Sequence, residues 1–169
     1  MEGFIRGFSE KIRILNIYGP CRDRSPFWDK VDKLNLLLLE NLIVGGDLNL
    51  TMGQSEVWGG KSIGDPMSDY FKHLFIRANL VDISMSALVP TRRNERSGNE
   101  YIAKRLDRFL VYGDLIDRVS RYRSWTSPEI TSDHFPVSLQ VDFQYNRVHY
   151  PFKFNKVWLN DPDFKKAVE

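Results

Sequence analysis

A chain of 169 residues, 42% hydrophobic and 13% aromatic, has the composition of one globular domain with a real core, which excludes a disordered segment. Its 24 Lys and Arg against 22 Asp and Glu leave a net charge of +2, so bulk charge alone does not announce a polyanionic partner. Cys21 is the single cysteine, which excludes an intrachain disulfide and a multi-thiolate zinc centre and fits a reducing compartment. Residues 1–12 contain Glu2, Arg6, Glu10 and Lys11 and no apolar stretch, so they are not a signal peptide. The longest apolar run, Leu36–Leu39, is too short to span a membrane.

In chain order, Ile12–Tyr18 reads as a strand stopped by Gly19-Pro20. Ser25-Pro26 is a helix start, a capping serine followed by proline at the first helical position. The helix is expected over Phe27–Glu40, with Phe27, Val31, Leu34 and Leu38 on one face. Asn41–Gly46 reads as a buried strand, Thr51–Gly64 as a glycine-rich loop carrying Trp58, and Asp65-Pro66 as the start of a second helix reaching about Ala78. Leu80–Ser84 and Ala87–Thr91 are expected as short strands. Glu100–Val111 is expected as a strand broken at Lys104, Arg105 and Asp107. A short helix over Gly113–Val119 and strands over Arg121–Thr126 and Phe135–Phe143 complete a mixed α/β layered fold. The domain is expected over 1–144. The stretch 145–169, with the aromatic and basic Tyr150–Leu159 and a helix start at Asp161-Pro162, is expected as a linker.

Four segments offer chemistry. Asp47 and Asn49 lie two apart at a strand end, so both side chains point the same way. Strand ends of layered α/β folds are where sites are built. An acid and an amide there can align a water or bind phosphate oxygens, or they can simply close an Asx-turn. Asp107 lies in a strand flanked by Arg105 and Arg108. It forms either a structural ion pair or the partner that orients His134. Asp133 is a candidate metal ligand or a cap on the turn into the last strand. Tyr18 is a candidate phosphate donor or a core-edge tyrosine. His73 and His149 read as surface residues. Between Arg92 and Arg123 nine basic residues face five acidic ones. That is either a solvated mixed-charge face or a phosphate-facing patch including Arg92, Arg93 and Arg105. Carboxylates, an amide and an imidazole together suit phosphodiester cleavage with a hard divalent metal.

The ordered set Asn16-Ile17-Tyr18-Gly19-Pro20, Gly45-Gly46-Asp47-Leu48-Asn49, Arg105-Leu106-Asp107-Arg108-Phe109 and Ser132-Asp133-His134-Phe135-Pro136-Val137 resembles the endonuclease/exonuclease/phosphatase superfamily over about Ile12–Phe143. Abasic-site endonucleases and the pancreatic deoxyribonuclease are members. The spelling Lys104–Leu110, with Pro151-Phe152-Lys153-Phe154 and Trp158-Leu159 in the tail, is similar to the endonuclease domain of plant LINE-type non-LTR retrotransposons. The resemblance implies the C-terminal part of a four-layer α/β sandwich. It implies Mg2+- or Mn2+-dependent hydrolysis of DNA phosphodiesters, no membrane, a nuclear site of action, and a linked reverse transcriptase that is absent here. It also implies site roles. Asp47 orients or deprotonates the attacking water, Asn49 steadies the phosphate and Tyr18 contacts it. Asp107 partners His134, His134 holds the phosphoryl oxygen, and Asp133 with Asp47 serves the metal.

The family's N-terminal asparagine and metal-binding glutamate have no counterpart before Ile12, where Glu2 and Glu10 stand in a different context. Thr91-Arg92-Arg93-Asn94 replaces the family's Thr-Trp-Arg-Asn. The expectation is therefore a truncated copy with part of its sheet uncovered and with impaired or lost nicking. The alternatives are a non-catalytic nucleic-acid-binding remnant and a phosphoinositide- or sphingomyelin-type phosphatase of the same superfamily.

Overall fold

The first strand, β1 (Glu2–Phe4), has no apolar alternation and was not legible in the sequence. It pairs antiparallel with β2 (Lys11–Asn16), and Glu2 braces the pair through Lys11 at 2.9 Å and Arg13 at 3.2 Å. Glu10 likewise has a structural role, pairing with Arg118 at 2.8 Å. The computed structural model describes residues 1–5, 8–59, 64–94, 96–128 and 132–143. The expected linker and terminal helix lie outside them.

Helix α1 spans Arg24–Lys33, so Ser25 and Pro26 fall inside its first turn rather than capping it. It stops well short of Glu40 because Asn35 takes the left-handed conformation, φ 52, that ends helices. Leu34 and Leu38 are consequently 57% and 49% exposed, and the buried face is Trp28 and Val31. Strand β3 (Leu42–Asp47) follows. The expected loop folds into a short 3-10 turn, Gln54–Glu56, and β4 (Val57–Trp58). Then come α2 (Ser68–Arg77), β5 (Leu80–Asp82), β6 (Arg92–Arg93), β7 (Ala103–Lys104) and β8 (Asp107–Tyr112). The chain continues through α3 (Gly113–Ile116), β9 (Val119–Thr126) and β10 (Val137–Phe143). No strand forms over residues 87–91.

The main sheet has the order β1-β2-β3-β8-β5, with β2 and β3 parallel and the other pairs antiparallel. Period-two alternation divides its side chains between two layers. Leu42, Val44 and Leu110 face α1 and α2, where Phe71 packs 5.2 Å from Trp28 and 6.2 Å from Phe75. Ile43, Phe109 and Val111 face the other way, toward Leu139, Val141 and Phe143 of the β9–β10 ribbon. A small sheet, β4-β7-β6, closes one end. The result is a layered α/β sandwich.

The break between β7 and β8 has a specific cause. Arg105 and Arg108 turn inward, 3% and 1% exposed, onto two acids. Glu56 accepts from Arg105 at 2.6 Å and from Arg108 at 2.9 Å, and Asp82 accepts from both arginines at 2.6–2.8 Å. Arg105, expected to contact nucleic acid, is instead buried, with its terminal nitrogens on Glu56, Asp82 and the Ile83 carbonyl. Burial pushes the Asp82 carboxyl up, but Arg105 and Arg108 outweigh it and hold the group below the ordinary carboxylate range. A depressed folded value means that the unfolded chain binds the proton more readily. The contribution is complete above the unfolded value, about 3.9, and is lost as pH falls through the folded one. We expect urea midpoints that fall steeply below about pH 4 and a shallower acid limb in Asp82→Asn. Identical acid limbs in the two proteins would contradict this linkage.

Candidate active site

β3 ends at Gly45-Gly46-Asp47. Gly46 has φ 134, and a Cβ there would sit 2.2 Å from the Ile17 carbonyl oxygen, so only glycine lets the chain pass this close. The register then places Asp47 of β3 directly opposite Asp107 of β8. Two carboxylates on one rung repel. Burial, followed by the Asp107 charge, raises the Asp47 carboxyl above its ordinary value despite the opposing hydrogen bond from Asn49.

His134 lies between the two acids. Its Nδ1 is 2.9 Å from Asp107 Oδ2 and its Nε2 is 3.8 Å from Asp47 Oδ2. With the Asp107 carboxylate as acceptor, Nδ1 carries a proton and Nε2 faces the rung. Thr91 holds this pair from below. It is fully buried, its hydroxyl donates to Asp107 Oδ2 at 2.7 Å, and it accepts the backbone N–H of Leu106 and of Asp107 at 2.9 Å each. The Phe135 N–H donates to the Thr91 carbonyl at 2.7 Å, which fixes the His134 segment against the same residue. Thr91 was not singled out as a site residue, although it opens the Thr91-Arg92-Arg93-Asn94 segment set against the family's Thr-Trp-Arg-Asn.

Asn49, in the left-handed region at φ 50, realises the Asx-turn expected of the Gly-Asp-Leu-Asn segment. Its backbone N–H closes an Asx-turn on Asp47 Oδ1 at 3.0 Å, and its side chain lies beside the same carboxylate. The amide donates to Asp47 Oδ2 at 3.1 Å and to the Gly19 carbonyl at 2.6 Å. Both amide hydrogens are therefore used, and Asn49 positions Asp47 rather than presenting a donor to a ligand.

Asp47, Asn49, Asp107 and His134 thus converge from β3, β8 and the turn before β10. Other candidates stand outside this cluster. Asp133 points away, its carboxylate accepting from Arg92 Nε at 2.9 Å, and Arg92 first of all holds it below its ordinary range. It is not among the three groups whose ligand atoms gather at the site. Tyr18 is 74% exposed and makes no hydrogen bond among the described residues, although it precedes the Gly19 that Asn49 holds. Arg92 and Arg93 are exposed beside His134, with the Arg93 guanidinium 5.0 Å above the Phe135 ring. Asp47, Asp107 and His134 each offer a ligand atom within 4.8 Å of one another, and two facing carboxylates form a donor set that fits a hard divalent cation.

No family model and no curated protein matches the chain. Solved structures do. The endonuclease domain of TRAS1, a telomere-specific non-LTR retrotransposon, aligns with a TM-score of 0.62 and 19% identity over 85% of this chain and 60% of that one. The 3'-5' exonuclease NExo of Neisseria meningitidis aligns with a TM-score of 0.55 and 18% identity over 78% of this chain and 62% of that one. A Neisseria NExo structure described as a 3' phosphatase bound to product DNA hairpin aligns at 0.56 and 17% over 84% of this chain and 64% of that one. The fold is therefore the α/β sandwich that these structures share. The chain spans somewhat less than two thirds of the length of these neighbours.

Proposed function

We propose that this chain is a divalent-metal-dependent phosphodiester hydrolase acting on DNA, of the kind that serves non-LTR retroelements. The carrying observation is the convergence of His134 with two opposed carboxylates, Asp47 and Asp107. The likeness of the fold to the TRAS1 endonuclease domain and the spelling Lys104–Leu110 support the retroelement reading. A nuclear location and a linked reverse transcriptase belong to the same proposal.

In this reading Asp47, aligned by Asn49, orients the attacking water. Asp107, accepting from Nδ1, orients His134 so that a proton on Nε2 would be donated to the phosphoryl oxygen as charge develops. Mg2+ or Mn2+ held by Asp47 and Asp107 would polarise that oxygen. Arg92 and Arg93 are the proposed backbone contacts, and Tyr18 stands at the approach. A merely DNA-binding role would use the two arginines but would leave the Asp47–Asp107 rung without purpose.

Turnover should be slow. Of the oxygens of Asp47 and Asp107, only Asp107 Oδ1 accepts no hydrogen bond among the described residues, which weakens any metal site. The test is conversion of supercoiled plasmid to open circle. We expect slow nicking that requires Mg2+ or Mn2+ and disappears in Asp47→Ala and His134→Ala. Nicking that survives in both variants, or its absence from the unaltered chain with either metal, would refute the proposal.

A further inference from the structure

A second groove of about 580 Å3 adjoins the site and shares Asn49 with it; Cys21, Arg92 and Lys104 lie in its wall. Arg92 and Lys104 are directly opposed across β6 and β7, so two cations share one rung and one face. Like charges so placed are unfavourable unless something neutralises them. Arg92 uses its Nε on Asp133, which leaves its two terminal nitrogens without a partner among the described residues. Lys104 makes no ion pair or side-chain hydrogen bond among the described residues. The one carboxylate among the described lining residues, Asp65, is closed by Arg24 at 2.5 and 2.6 Å and cannot serve them.

The groove is thus a cationic slot with unused donors, continuous through Asn49 with the cluster that braces Asp47. We propose that it holds a backbone phosphate of the nucleic-acid strand, next to the phosphate presented to Asp47 and His134, with Lys104 and the terminal nitrogens of Arg92 as donors. The inference rests on the nucleic-acid reading of the site and adds Lys104 to it as a binding residue. Phosphate contacts of this type set the position of the strand and release counterions.

Cys21, the single cysteine, provides a reporter, since its thiol lies in the groove wall against Asn49 Oδ1 at 3.4 Å. The experiment uses a fluorescein-labelled duplex oligonucleotide in EDTA, so that no cleavage intervenes. Anisotropy gives the affinity at several salt concentrations, and mass spectrometry gives the rate of Cys21 alkylation by iodoacetamide. We expect the duplex to slow alkylation several-fold. Lys104→Ala should abolish that protection and lower the salt slope of binding by about one. Lys104→Arg should keep both, and Lys30→Ala on α1, outside the groove, should change neither. Lys104→Ala should also be at least as stable as the unaltered chain, since it removes a like-charge rung. Duplex that binds while Cys21 reacts at its free rate, or an unchanged salt slope in Lys104→Ala, would overturn the subsite and leave the proposed function standing. Absence of any duplex binding by the unaltered chain would overturn both.

Discussion

Glu56→Ala is expected to lower the unfolding free energy by about 3–5 kcal/mol. The residue is 6% exposed and accepts from Arg105, from Arg108 and, at 2.6 Å, from the Met52 backbone N–H. Removing it leaves two buried guanidinium groups sharing Asp82 alone. The intact network is not itself a large stabiliser, because desolvating four charged groups offsets most of their attraction. The Nε–H groups of Arg105 and Arg108 already lack partners among the described residues. The asymmetry lies in breaking it, when an uncompensated charge stays inside. Arg105 and Arg108 bracket Leu106 and Asp107, so the loss should reach the site through the start of β8. Urea denaturation at neutral pH measures the effect. A loss under about 1 kcal/mol, the range of surface ion pairs, would show that the network is not buried in solution.

Asp107→Asn is expected to reduce turnover by about 10²- to 10⁴-fold with little change in DNA affinity. The substitution is nearly isosteric and retains an oxygen for the Thr91 hydroxyl at the cost of turning the amide NH2 toward His134 Nδ1. The amide NH2 then donates to Nδ1, so the ring can no longer hold a proton on both nitrogens, and the charged Nε2–H donor to the phosphoryl oxygen is lost. Single-turnover nicking and duplex binding, measured separately, distinguish an orienting role from a structural one. Equal losses in both would assign Asp107 to fold maintenance.

The sheet was legible because Leu42–Val44 and Phe109–Val111 carry their own apolar pattern and because a strand's period fixes which face each residue takes. The Asp107–His134 pair was legible from the order of the four motifs rather than from any local property of either residue. Other features depended on partners distant in sequence. Nothing near Glu56 or Asp82 predicts that they meet Arg105 and Arg108, and an arginine read in isolation is assigned to the surface. The pairing of Asp133 with Arg92 was hidden for the same reason. The early end of α1 was hidden by Leu34 and Leu38, which continue the helical period past the turn that Asn35 makes.

The central claim is that Asp47, Asp107 and His134 act as one metal-dependent site. The chain has three histidines, His73, His134 and His149, so their imidazole proton resonances can be followed individually during a Mn2+ titration. The account predicts that substoichiometric Mn2+ broadens His134 first, leaves His73 on α2 sharp, and loses this selectivity in Asp47→Ala and Asp107→Ala. Broadening that is equal at His134 and His73, or that persists at His134 in both variants, would contradict it.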